Sequence, residues 1–241
     1  MNLPLRKVDA LLFDKDGTLF DFQATWGAWA GNFIERLSDG NAILHATLVE
    51  GLHYDLAQRR FHPTSPFIAC THFQVVEQLS SMMPHRTREE IDTLLTGEVM
   101  HVPQIAAVPL RPLLAEFAKM GLRTGVMTND AEENARANLD SAGVTTLFDM
   151  IIGSDSGYGC KPEPEPLLAF AEMFSLDPES VAMVGDSTHD LLAGRDAGMQ
   201  TIGVLTGTAD TAELAPYADV VLPDIGHIPE WLRVTKRVND G

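Results

Sequence analysis

An apolar run that stops abruptly at two acids constrains this chain more than any other feature. Residues 8–19 read Val8-Asp9-Ala10-Leu11-Leu12-Phe13-Asp14-Lys15-Asp16-Gly17-Thr18-Leu19. A near-continuous apolar stretch of this length fits a parallel strand buried on both faces. Open α/β sheets bind ligands beyond the carboxyl ends of such strands. Two carboxylates crowded at that end repel each other unless a cation lies between them. For an all-oxygen site of carboxylates and phosphate oxygens, Mg²⁺ is the fitting cation. In isolation the same letters also fit an exposed turn with solvated acids, because Asp and Gly are common turn formers.

Three later segments repeat the theme. Val126-Met127-Thr128-Asn129-Asp130 closes an apolar stretch with small polar groups. Lys161 lies in a loop, Gly159-Cys160-Lys161-Pro162, after the apolar Met150-Ile151-Ile152-Gly153. Val181-Ala182-Met183-Val184-Gly185-Asp186-Ser187-Thr188-His189-Asp190 is a third strand ending in acids. The order along the chain is acid pair, hydroxyl plus amide, lysine, acid pair, each at or just past an expected strand end. A nucleophile, a metal cage, hydrogen-bond donors and a cation are the parts that handle a phosphoryl group.

Taken together, Asp14-Lys15-Asp16-Gly17-Thr18, Thr128-Asn129, Lys161-Pro162 and Gly185-Asp186-Ser187-x-x-Asp190 resemble the haloacid dehalogenase-like superfamily of hydrolases, within it the phosphoglycolate phosphatase-like members. The resemblance spans residues about 8 to 205. It implies a Mg²⁺-dependent phosphatase that acts on a small phosphomonoester, 2-phosphoglycolate being favoured, through a phosphoaspartate. Asp14 would be the nucleophile, and Asp16 would protonate the leaving oxygen and later deprotonate water. Thr128 and Asn129 would hydrogen-bond the phosphoryl oxygens, with Lys161 neutralising charge. Mg²⁺ would be held by Asp14, the backbone carbonyl of Asp16, and Asp186. Asp190 would support the site, through water on the metal or by orienting Lys161. A phosphomutase of the same superfamily, a 2-haloacid dehalogenase, a phosphoaspartate switch and a non-catalytic regulatory phosphate-binding protein are the competing readings. The dehalogenase is disfavoured by Asp16, because a halide leaves without an acid. The switch is disfavoured by the chain's length and helical insertion, and the regulatory protein by the complete set of acids.

The rest of the chain places these segments. Phe22, Trp26, Trp29, Phe33 and Leu37 recur at helical spacing, and a second helix is expected over 42–58. Ser65-Pro66 reads as the start of a third, and Thr87-Arg88-Glu89-Glu90 as a capping box opening a fourth, to about Met100. No strand is expected within 22–100. From Val108 onward, strands at 122–127, 149–153, 181–185, 201–205 and 219–222 alternate with helices at 112–120, 131–142, 164–174 and 189–197. Such alternation gives a parallel sheet covered on both faces. The expected fold is therefore a doubly wound, Rossmann-like α/β core from residues 1–20 and 107–241, with an α-helical cap over 21–106. Trp26 and Trp29 are expected to pack that cap, Arg59-Arg60 to end a helix in solvent, and His189 to face solvent. His62 and His72 show no metal-ligand spacing, and Cys160 has no identifiable catalytic partner.

The 241 residues carry a formal net charge of −17. A surface of that sign repels polynucleotides and anionic membranes, and leaves a small phosphate ester as the anionic partner that a local cation can hold. Two cysteines make no disulfide framework, which favours a reducing compartment. After a short basic start no membrane-type apolar span follows, so a cytoplasmic protein, monomer or homodimer, is expected.

Overall fold

The computed structural model describes residues 7–68, 70–99 and 102–239, with side chains to 234. The helix end expected near Met100 lies outside those residues. The chain runs β1 (Ala10–Phe13), α1 (Ala28–Ser38), α2 (Ala42–Gly51), β2 (Tyr54–Asp55), β3 (Arg60–Phe61), α3 (His72–Met82), α4 (Arg88–Val99), α5 (Leu110–Lys119), β4 (Arg123–Met127), α6 (Glu132–Ser141), β5 (Met150–Ile152), α7 (Glu165–Met173), β6 (Val181–Gly185), α8 (Thr188–Asp196), β7 (Gln200–Val204), α9 (Thr211–Leu214), β8 (Val220–Leu222) and α10 (Ile228–Asn239).

Six strands form one sheet in the order β5-β4-β1-β6-β7-β8. All its pairings are parallel. β1 is central, with Leu12 opposite Gly125 on one side and Met183 on the other. Alternation along β1 divides the core. Leu11 and Phe13 join Phe117, Leu139, Val184 and Ile228 on one face. Ala10 and Leu12 join Leu167, Phe170 and Met183 on the other. Helices on both faces make the sheet doubly wound, so an unbroken apolar β1 is what the fold requires. The strands and helices read after Val108 match the structure to within two residues at each end, and α9 and α10 complete the sheet's flank.

A separate apolar cluster, including Phe33, Ile34, Leu37, Leu48, Leu79, Ile91 and Leu95, holds α1 to α4 together. The chain enters and leaves this helical block side by side. Asp21 N–H donates to Ile105 O at 2.8 Å, and Ala107 N–H to Leu19 O at 3.0 Å.

Two expectations fail inside the block. The helix expected over 42–58 stops at Gly51, and β2 and β3 form an antiparallel hairpin where helix alone was expected. The cause is local: the Asp55 carboxylate accepts from Ala57 N and Gln58 N at 2.8 and 2.9 Å, a turn that competes with helix. Leu56, counted on the helical stripe, is exposed. Arg59-Arg60 accordingly lies in the hairpin, and Arg59 reaches Ala28 O and Asn32 rather than ending a helix. Ser65-Pro66 starts a turn, since Ser65 Oγ donates to Leu52 O at 2.6 Å. The helix begins later at His72, capped by Thr71 with Gln74. The Thr87–Glu90 capping box forms as expected.

Candidate active site

The sheet brings the four segments to one edge. Asp14 follows the last residue of β1, its N–H donating to Val184 O at 2.8 Å. Asp186 follows β6 at the neighbouring strand end, and both are buried. The turn after β1 passes close over Asp186. Gly17 sits there at φ 89°, and a Cβ on it would overlap the Asp186 carboxyl. Asp190 is fixed by a capping box at the start of α8. Its Oδ2 accepts from Ser187 N at 3.0 Å and from Ser187 Oγ at 2.7 Å.

Lys161 reaches into these acids. Its Nζ bonds Asp14 Oδ1, lies 2.7 Å from Asp190 Oδ1, and donates to Met127 O at 2.9 Å. Its backbone is clamped from both sides by the Asn129 amide. Lys161 N donates to Asn129 Oδ1 at 2.9 Å, and Asn129 Nδ2 donates to Lys161 O at 3.0 Å. Asn129 therefore positions the lysine loop. Thr128 is buried beside it and accepts from Asp130 N at 3.1 Å, a bond that leaves its hydroxyl hydrogen unused. Of the two roles weighed for Asp190, orienting Lys161 is the one with direct contacts.

The electrostatics follow from burial. Burial pushes the Asp14 carboxyl up to about 7; Lys161 opposes this, and Asp190 and Asp16 add to it. Asp186 is raised well above the ordinary carboxylate range by burial, then by Asp14 and Asp190. Burial alone would lower Lys161, but Asp14 and Asp190 outweigh it and hold the ammonium charged. Asp14, Asp186 and Asp190 each offer a carboxylate oxygen, all within 4.8 Å of one another. Three buried acids facing one lysine leave negative charge uncompensated. Oxygen donors of that charge suit a hard divalent cation such as Mg²⁺.

The Asp16 carboxylate turns elsewhere. Oδ1 accepts from Trp26 Nε1 at 2.7 Å, and Oδ2 lies 2.7 Å from Lys15 Nζ. Lys15 is completely buried, donates to Asn138 Oδ1 at 2.9 Å, and lies 3.5 Å from Asp130 Oδ2. Burial would lower its pKa, yet Asp16 and Asp130 raise it. Sequence reasoning gave Lys15, Asp130 and Trp26 no place at the site. The available signal was a lysine set between two acids at the end of a wholly apolar strand, where only a paired cation can be buried. His189 is exposed at the mouth, as expected. His72 bonds Asp92 at 2.5 Å, and His62 bonds Thr64. Beyond the acids, a cavity of about 160 Å³ runs into the helical block.

A six-stranded doubly wound sheet with acids at the ends of β1 and β6 and a buried lysine between them defines a class. The chain belongs to the haloacid dehalogenase-like hydrolases, whose family model matches residues 8–198. Among its relatives is a phosphoglycolate phosphatase of Neisseria meningitidis, 30% identical over 242 residues, covering 95% of this chain and 94% of that protein. Another is the pyrophosphatase PpaX of Bacillus velezensis, 27% identical over 222 residues, covering 88% and 90%. The fold is shared with a haloacid dehalogenase-like hydrolase structure from Bacteroides fragilis, at TM-score 0.68 and 23% identity, over 92% of this chain and 100% of that one. Among the described residues no helix is long and apolar enough to cross a membrane.

Proposed function

We propose that this hydrolase is a Mg²⁺-dependent phosphatase of small phosphomonoesters, working through a phosphoaspartate on Asp14. The observation that carries the reading is the division of labour between Asp14 and Asp16. One carboxylate lies among Lys161, Asp186 and Asp190. The other, two residues on, is held apart by Trp26 and Lys15. A nucleophile and a proton carrier must be separate groups, and these two acids are held apart by different partners.

In the first step an Asp14 oxygen attacks phosphorus and the bond to the leaving oxygen breaks. Asp16 gives that oxygen its proton, so the product departs as an alcohol. In the second step Asp16 takes a proton from water as the water oxygen attacks phosphorus, and the bond to Asp14 breaks to release inorganic phosphate. Lys161 favours the ionised form of Asp14 against burial and faces the phosphoryl charge, while Asn129 holds the lysine loop and Thr128 donates to a phosphoryl oxygen. Asp14, Asp186 and the Asp16 carbonyl would hold Mg²⁺, which would supply positive charge to offset that of the carboxylates and the phosphoryl group. Residues 21–106 act as a cap that selects the substrate over the core of 1–20 and 107–241, in the cytoplasm. The net charge of −17 supports a small ester over a polynucleotide as partner. The relatives' names put 2-phosphoglycolate first among known substrates to assay and pyrophosphate second.

The test is phosphate release from a panel of small phosphomonoesters with Mg²⁺ and with excess chelator. Release that needs Mg²⁺ but no bisphosphate activator is expected, which also separates hydrolysis from a mutase. No release from any ester overturns the proposal.

A further inference from the structure

We infer that the organic part of the substrate is apolar and uncharged, and no larger than about one ring or a short alkyl chain. The inference rests on the phosphatase reading and concerns the other end of the same cavity. Its wall, opposite the acids, is built from four separate segments. Trp29 and Phe33 come from α1, Phe61 from β3, Leu79 from α3 and Leu95 from α4. Trp29 stacks on Phe33 with ring centres 4.8 Å apart and meets Trp26 edge-on at 5.4 Å, so the aromatic side of the wall is held in place.

Phe33, Phe61, Leu79 and Leu95 belong to the block's own apolar cluster and are nearly inaccessible to solvent. Protein interiors are close-packed, and a void among apolar side chains is costly. Here the void lies where the block's core meets Asp14 and Asp16. An apolar cavity of roughly 150 Å³ is known to stay dry and to take up a benzene-sized molecule. The 160 Å³ present must also seat the phosphoryl group at the acid end, which leaves space for a compact group.

The charges around the cavity agree. Among its described lining residues, Lys161 is engaged by Asp14 and Asp190, and His72 by Asp92. His189 stands at the exposed mouth. A substrate carboxylate pushed against Phe33, Leu79 and Leu95 would lose its water for at most one donor, the Trp29 indole N–H, which is buried with no partner of its own. An alkyl or aryl group there is favoured by burial.

The experiment compares kcat/KM for methyl, ethyl, propyl, butyl and benzyl phosphate and 2-phosphoglycolate, at saturating Mg²⁺. All are esters of simple alcohols that need the same protonation to leave, so leaving-group chemistry stays nearly constant along the series. The expected rise is about fourfold per methylene through butyl, with benzyl phosphate at least about tenfold above 2-phosphoglycolate. Trp29→Ala should flatten the rise. If that variant fails to fold, Phe67→Ala, a half-buried wall residue in a loop, carries the same measurement. If neither folds, the wild-type series decides. A flat series, a preference for 2-phosphoglycolate, or a folded wall variant with an unchanged slope overturns the inference and leaves the phosphatase reading standing. No phosphate release from any member, methyl included, sinks that reading and this inference with it.

Discussion

Trp26 donates its indole N–H to Asp16 Oδ1 at 2.7 Å, tying the helical block to the carboxylate proposed to carry the proton. Trp26 also covers Lys15, whose ammonium lies 5.6 Å from its ring centre and holds the other Asp16 oxygen. Trp26→Phe keeps an aromatic ring and deletes the donor. A hydrogen bond to a charged group is worth ~1.5–3 kcal/mol. Alcohol release from an alkyl phosphate should therefore slow by about tenfold or more, and 4-nitrophenol release from its phosphate by less, since that group departs without an acid. First-turnover kinetics on both esters checks this. Equal slowing of the two would make Trp26 a packing residue only.

Asp14→Asn should abolish turnover, because an amide is a poor nucleophile and a weak metal ligand. It should not cost the fold. Asp14 is a buried carboxyl raised to about 7 by burial against Lys161's pull, with Asp190 and Asp16 pushing it up further, so above that pH its charge is a burden that the amide removes. Lys161 keeps Asp190 at 2.7 Å and Met127 O at 2.9 Å. Metal-free melting above neutral pH should be as high as the parent's or higher. Near-normal phosphate release by the variant would refute the covalent route.

Much of this was legible in the sequence, for a physical reason. β1 is buried on both faces, so its apolar run could stop only where the sheet ends, and Asp14 marks that edge. The hairpin at Tyr54–Phe61 was not legible. Leu48, Leu52 and Leu56 keep helical spacing through a turn that the Asp55 carboxylate makes. Asn129 was legible as a site residue but not in its contacts, because an amide that binds phosphate and one that clamps the Lys161 backbone look alike in a sequence. Trp26 and Asp16 lie ten residues apart with no periodic relation, and only the fold of the helical turn Gln23–Gly27, ahead of α1, brings them together.

Asp16→Asn separates a phosphatase's acid from a residue that only binds or supports. General acid assistance is typically worth ~10²–10⁴-fold. The variant should lose about that much for alkyl phosphates in the step that forms the phosphoaspartate, and far less for activated aryl phosphates. Asp16 also serves the second step as base, so steady-state rates would blur the contrast. The pre-steady-state burst of the first leaving group is the quantity to measure. The same loss for both ester types would remove the acid role.

Metal binding should appear as a pH-dependent gain in stability. In the metal-free protein Asp14 titrates near 7 against an ordinary 3.8, chiefly because it is buried, and Asp186 is raised for the same reason. Between those pH values the folded state holds protons that the unfolded chain has released. Stability therefore falls as pH rises through the window, the penalty being absent below the unfolded value and complete above the folded one. A divalent cation needs those same carboxylates ionised, so it competes with protons at low pH and offsets the repulsion at high pH. Mg²⁺ should raise the melting temperature little at about pH 5 and clearly at about pH 8. Ionic strength should be matched with a sodium salt, because a surface of charge −17 is stabilised by screening alone. The extra shift at high pH should vanish in Asp186→Asn. An equal Mg²⁺ shift at both pH values, or one that survives the substitution, would place the cation elsewhere on the protein.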